Sequence, residues 1–195
     1  MAIQINGNGT ITGISVGGLP NGIVDTDMIA ASAVTPAKST IVGGKVLQVI
    51  QFATDTQDST YETSYTNTPL SATITPSATS SKVLVKYNIN IGTNNAGNMV
   101  MFQIVRGSTA VGNGSTGSNR RACHTAFRGQ YADSNPHDVT SGEYLDSPNT
   151  TSATTYKIQY HVNSQQALIN RSAGNADSSS HPTPVSTLTL MEIAA

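Results

Sequence analysis

Between Lys82 and Ile91 the side chains alternate, with Leu84 the one apolar residue on the polar face. Val83, Val85, Tyr87, Ile89 and Ile91 share one face, and Lys82, Lys86, Asn88 and Asn90 lie opposite. A period of two belongs to an extended chain with one buried and one wetted face. The pattern returns where Tyr156, Ile158, Tyr160 and Val162 oppose Lys157, Gln159 and His161. Further candidate strands cover 45–52, 70–75, 99–106, 122–129, 142–146, 166–170 and 186–193. Turn clusters such as Asn94-Asn95-Ala96-Gly97 and Asn113-Gly114-Ser115 separate them. From residue 44 onward this predicts an all-β head, 44–195, built as an antiparallel β-sandwich of jelly-roll-like type.

Composition points the same way. Serine, threonine, asparagine and 17 glycines are abundant, whereas the helix builders Glu and Lys are scarce. With 37% hydrophobic residues, 5% aromatics and no Trp, the core is lean. Lean β proteins often gain stability by burying surface between subunits.

The first 43 residues differ. Gly7, Gly9, Gly13, Gly17, Gly18 and Gly22 fall between isolated apolar residues that include Ile11, Ile14, Val16, Leu19 and Ile23. Such spacing predicts an extended, glycine-rich segment with turns at Asn6-Gly7 and Asn21-Gly22. Asp25-Thr26-Asp27 is a helix-start signal ahead of Met28, Ile29, Ala33 and Val34, and Pro36 ends that short helix or opens a further turn. The segment is too short to bury its own apolar side chains. It is therefore either a disordered leader or a piece ordered against other chains, and the second reading is favoured. On that reading Ile11, Ile14, Val16, Leu19, Ile23, Met28, Ile29 and Val34 are the attachment residues. Ile29→Asp is then expected to weaken incorporation into the assembly while the head still folds, because an unpaired carboxylate in such a contact costs several kcal/mol. Quantitative blotting of the purified assembly measures it; normal incorporation would reduce the segment to a linker.

Chemistry finds poor material. Only 11% of residues are charged, the formal net charge is -1, and Arg120-Arg121 is the one adjacent basic pair, so nucleic acid is not an expected partner. A single cysteine, Cys123, excludes an intrachain disulfide. The opening residues lack a signal-peptide pattern, and no stretch is long and apolar enough for a membrane span, so membrane insertion is not expected. His124, His137, His161 and His181 are scattered, without metal-ligand spacing, and no cofactor or metal is expected. Cys123-His124 would point to opposite faces of a strand. The carboxylate pair Glu143 and Asp146 would do likewise, which argues against a glycosidase. The expectation is a protein that is not an enzyme.

Three stretches resemble the small fibre-type virion proteins of tailed bacteriophages. The leader Gly9 to Pro20 with Gly22-Ile23-Val24-Asp25 is similar to their attachment segments. Residues 44–51, 70–76 and 80–85 resemble the start of their C-terminal domain, and 145–148 with 186–193 its closing strands. The resemblance implies a homotrimeric tail fibre of the virion, assembled in the host cytoplasm. Its N-terminus would dock on other virion proteins of tail or capsid, and its head would face a host surface glycan or outer-membrane component. The alternatives are a capsid decoration or head-fibre protein without receptor binding, and a glycan-cleaving tailspike enzyme. Receptor contacts are expected on two polar loops, 107–121 and 130–141, through Asn113, Asn119, Arg120, Arg121, Asn135 and His137. Tyr87 and Phe102 are candidates for the trimer axis, with ordinary core positions as the favoured alternative.

Overall fold

The computed structural model describes residues 4–5, 11–12, 44–129 and 137–195. The chain divides into two units, Met1–Val42 and Gly43–Ala195. In the first, β1 (Gln4–Ile5) and β2 (Ile11–Thr12) pair antiparallel, with Gln4 opposite Thr12 and Ile5 opposite Ile11. The attachment residues Ile14, Val16, Leu19, Ile23, Met28, Ile29 and Val34, and the expected short helix, lie outside the described residues.

The second unit is all-β, without a helix among the described residues. Its strands are β3 (Val46–Thr54), β4 (Asp58–Thr60), β5 (Thr66–Ile74), β6 (Lys82–Thr93), β7 (Met99–Arg106) and β8 (Thr109–Val111). They continue with β9 (Thr125–Arg128), β10 (His137–Asp146), β11 (Thr154–Val162), β12 (Ala167–Ile169) and β13 (Ser186–Ile193). All pairings are antiparallel, and they form two sheets. In the first sheet β6 is the organiser. One of its edges carries β10 along its whole length; the other carries β13 and then β12, flanked in turn by β3 and β4. In the second sheet β11 lies between β5 and β7, and β8 and β9 share the far edge of β7. The long strands pair from the outside inward, β3 with β13, β5 with β11, β6 with β10 and β7 with β9.

One apolar core fills the space between the sheets. Val83, Val85, Tyr87, Ile89 and Ile91 from β6, with Leu188 and Leu190 from β13, meet Leu70 and Ile74 of β5, Val100, Phe102 and Ile104 of β7, and Tyr156, Ile158, Tyr160 and Val162 of β11. A core without Trp obtains bulk from tyrosine, and a buried hydroxyl then needs a partner. Each tyrosine reaches across the sandwich for one. Tyr156 Oη donates to Asp146 Oδ2 at 2.6 Å, Tyr160 Oη donates to Asp58 Oδ2 at 2.9 Å, and Tyr87 Oη lies 2.7 Å from Thr125 Oγ1. Burial pushes the Tyr87 phenol up to about 12, so it stays a neutral hydrogen-bonding group. Gly142, opposite Tyr87 on β10, makes room for that ring: a Cβ there would sit 2.6 Å from the phenol end of Tyr87 and 2.8 Å from the His124 ring.

Tyr87 and Phe102 therefore correct the trimer-axis expectation. Tyr87 is 1% and Phe102 0% exposed within one chain, so neither side chain is available to a sister subunit. Both are ordinary core residues, and Phe102 stacks on Tyr160 at 6.3 Å between ring centroids.

Among the described residues, Glu192 is the one acid buried beside β3 on the core side. It accepts from Ser77 N at 2.7 Å, Ser77 Oγ at 2.6 Å and Gln48 Nε2 at 2.6 Å, tying β13 to β3 and to the β5–β6 turn. Burial alone would raise its pKa, but these donors and Ser81 outweigh it and hold the carboxyl at about 2, below its ordinary 4.5. A depressed folded pKa means the stabilisation is complete above about 4.5 and is lost as pH falls through about 2. Denaturant midpoints are expected to fall across that window in the native protein and to stay flatter in Glu192→Gln. Parallel pH profiles would remove Glu192 from the account.

Candidate functional site

The outer face of the second sheet carries a row of amides at matched register. Asn113 Nδ2 donates to Gln103 Oε1 at 3.1 Å, Gln103 Nε2 to Gln159 Oε1 at 2.7 Å, and Gln159 Nε2 to Asn67 Oδ1 at 2.9 Å. The row crosses from the β8–β9 loop over β7 and β11 to β5 because Gln103, Gln159 and Asn67 are register partners. Period-two alternation that sends Tyr160 and Phe102 inward sends these residues outward.

Beside the row lies a cleft of about 480 Å³ lined by Thr63, Tyr65, Gln103, Asn113, Thr116, Gly117, Arg120, Arg121, Ala122 and His161. Two clamps hold the loop over the sheet. Tyr65 Oη donates to the Ala122 carbonyl at 2.9 Å, and Arg121 Nη1 donates to the Thr63 carbonyl at 3.0 Å. The loop closes on itself through Gly114 N to Cys123 O at 3.0 Å and Gly117 N to Arg120 O at 3.3 Å. His161 is only 2% exposed, although it belongs to the outer face, because Tyr65 packs edge-on against it at 4.4 Å. Burial lowers the His161 pKa; the Val162 carbonyl works against that and Arg121 adds to it. His161 Nδ1 lies 3.2 Å from Arg121 Nη1 and 3.1 Å from the Val162 carbonyl, and the tautomer sets whether it accepts from the first or donates to the second. Burial likewise pushes the Tyr65 phenol up to about 12.

Of the expected contact residues, Asn113, Arg120 and Arg121 come together in this cleft. Asn119 is exposed on the same loop but does not line it. Asn135 lies outside the described residues. His137 is a correction: it is not on a loop but opens β10, paired with Gly92, because β6 is long enough to extend the ladder that far. Its Nε2 is buried without a partner, and burial, with His181 second, lowers its pKa. Thr63, Tyr65, Gln103 and His161 are cleft residues the sequence reading did not single out. For Gln103 and His161 the available signal was the outward half of the alternation in β7 and β11; Thr63 and Tyr65 precede β5 and carried none.

Nothing else converges on catalytic geometry among the described residues. Asp146 points inward, where Arg106 Nη1 reaches both its oxygens at 3.0 and 2.8 Å, while Glu143 faces outward opposite Lys86. Cys123 and His124 precede β9 rather than lying in it, and His124 Nδ1 is 2.9 Å from the Gly112 carbonyl. Burial raises the Cys123 pKa, the wrong direction for a nucleophile. No group of three His, Cys, Asp or Glu side chains among the described residues is placed to hold a metal ion. No helix among them is long and apolar enough to cross a membrane.

No protein-family model matches the chain, and no curated protein matches it in sequence. Among solved structures it is similar to chains of infectious bursal disease virus. For the Gx strain the TM-score is 0.41 at 11% identity, covering 75% of this chain and 40% of that one. For the Gt strain it is 0.41 at 14% identity, covering 76% and 43%. For a crystal structure of the viral particle it is 0.39 at 15% identity, covering 76% and 36%. The chain thus spans well under half the length of those viral chains, and superposition at this level carries no argument about function.

Proposed function

We propose that this protein is a structural protein of a bacteriophage virion, a short homotrimeric tail fibre. Residues 1–43 anchor it to other virion proteins, and the head, 44–195, meets the host surface through the polar cleft. The observation that carries the reading is the distribution of exposed apolar residues. Val46, Leu47, Val49, Ile50 and Phe52 stand on β3, and Val139, Tyr144 and Leu145 on β10. Both are edge strands of the first sheet, whose third edge strand is the three-residue β4. An uncharged apolar edge strand left open is an aggregation hazard unless another chain covers it. A closed ring of identical subunits uses two different surfaces on each copy, which an edge at β3 and an edge at β10 supply.

Strand order adds support. Long strands paired from the outside inward across two sheets describe a jelly roll, the architecture of many viral capsid and lectin domains. The cleft reads as binding rather than cleaving, because no Asp or Glu lines it.

Mass photometry of the purified chain tests the assembly: the expected species weighs three times 20.3 kDa. A monomer at micromolar concentration defeats the fibre reading. Gold labelling of the C-terminus on intact virions is expected to mark the tail; capsid labelling would replace the tail fibre with a head-fibre or decoration protein.

A further inference from the structure

The lining of the cleft selects a ligand chemistry. Its two cationic side chains, Arg120 and Arg121, face no lining carboxylate. Arg121 is fixed in advance by the bond from Nη1 to Thr63 O, and His161 Nδ1 lies beside the same nitrogen. Arg121 Nε and Nη2 are left for a planar anion, and a guanidinium fork matches a carboxylate in shape and charge. Arg120 makes no side-chain hydrogen bond among the described residues, so its guanidinium is not committed to holding the fold. Beside this cationic end stand Gln103 and Asn113. An amide offers a donor and an acceptor together, the complement of a hydroxyl, which also does both. Asn113 Oδ1 is closed to solvent, so the contact of Asn113 with a ligand hydroxyl falls to Nδ2, which has a hydrogen beyond the one given to Gln103. About 480 Å³ falls within the range of small-ligand pockets.

We propose that this cleft binds a carboxylate-bearing saccharide, with the carboxylate on Arg121 and Arg120 and ring hydroxyls on Asn113 and Gln103. The inference rests on the host-contact reading above and names the ligand class for it. Because both arginines are exposed, the attraction is screened by salt, and affinity falls as ionic strength rises. Neutral sugars gain only the amide contacts.

The test uses the full chain and two probes of equal length, an alginate tetrasaccharide, which is a uronate oligomer, and neutral maltotetraose. Calorimetry or saturation-transfer NMR is expected to show binding of the alginate probe at least tenfold tighter than of maltotetraose, weakening with added salt. Arg121→Gln is expected to lower alginate affinity tenfold or more, with partial rescue by Arg121→Lys. Arg120→Gln, which breaks no observed hydrogen bond, should lower it severalfold with an unchanged melting temperature. Equal binding of both probes, no binding of alginate, or indifference to both arginine variants overturns the proposal. Adsorption of virions in the presence of the purified protein separates the two levels. Blocked adsorption without alginate binding defeats the acidic-sugar assignment alone; alginate binding by a protein missing from the virion defeats only the fibre reading.

Discussion

Asp146→Ala is expected to destabilise the head by about 3 kcal/mol, a large part of the 5–15 kcal/mol typical of a whole domain. Asp146 closes β10 on the core side and is 5% exposed. It receives Arg106 Nη1 on both oxygens and the Tyr156 hydroxyl at 2.6 Å. Arg106 and Tyr156 are register partners on β7 and β11, so one carboxylate of the first sheet is held by two strands of the second. Its removal strands a fully buried phenol and leaves a guanidinium, 28% exposed, with the Ser147 carbonyl and water. The partial exposure of Arg106 keeps the cost at the lower end of that for broken buried pairs. Tyr156→Phe removes one hydrogen bond and is expected to cost about 1 kcal/mol. Urea unfolding of both variants checks the ranking. An Asp146→Ala protein within 1 kcal/mol of the native one, on the same scale, would show that the contact does not join the sheets.

The sequence predicted strands best where one face is buried. β6, β7, β11 and β13 match their expected extents closely, because each places apolar residues at every second position against a common core. β4 and β8 had no such signature: Asp58-Ser59-Thr60 and Thr109-Ala110-Val111 contain almost nothing to bury. They become strands by pairing with β12 and β7, which supply a ladder local sequence cannot reveal. The same limit applies to β10, whose His137–Ser141 half is ordered by the length of β6 rather than by its own alternation. For the cleft, the polar loop bearing Asn113, Arg120 and Arg121 was readable as an adaptable surface. Its floor was not, because Gln103 and His161 come from separate strands and become neighbours only through the β7–β11 pairing. Tyr87 and Phe102 show the converse: an inward position on a strand reads identically whether its core is built by one chain or three.

Val49→Lys with Ile50→Lys is expected to convert the proposed homotrimer into folded monomer. The two positions are 54% and 37% exposed and occupy opposite faces of β3, so neither lysine has to enter a closed core in the single chain. Val49 stands in an outward row with Met191, Leu84 and Leu145, its register neighbours across β13, β6 and β10. Ile50 pairs with Leu190 on the inward side. A neighbouring subunit covering this edge would have to desolvate both ammonium groups in every copy, at several kcal/mol for each unpaired charge. Lysine is also the residue that natural edge strands use against strand addition. The affinity loss exceeds a thousandfold once two such penalties combine, at 1.4 kcal/mol per factor of ten. Sedimentation velocity is expected to give a single slow species, with far-UV circular dichroism and melting close to those of the native head. If the double variant still sediments as a trimer, β3 is not the contact and the subunits meet elsewhere. If instead the native chain is already a monomer, the exposed apolar edge awaits a different protein, and the homotrimer is excluded.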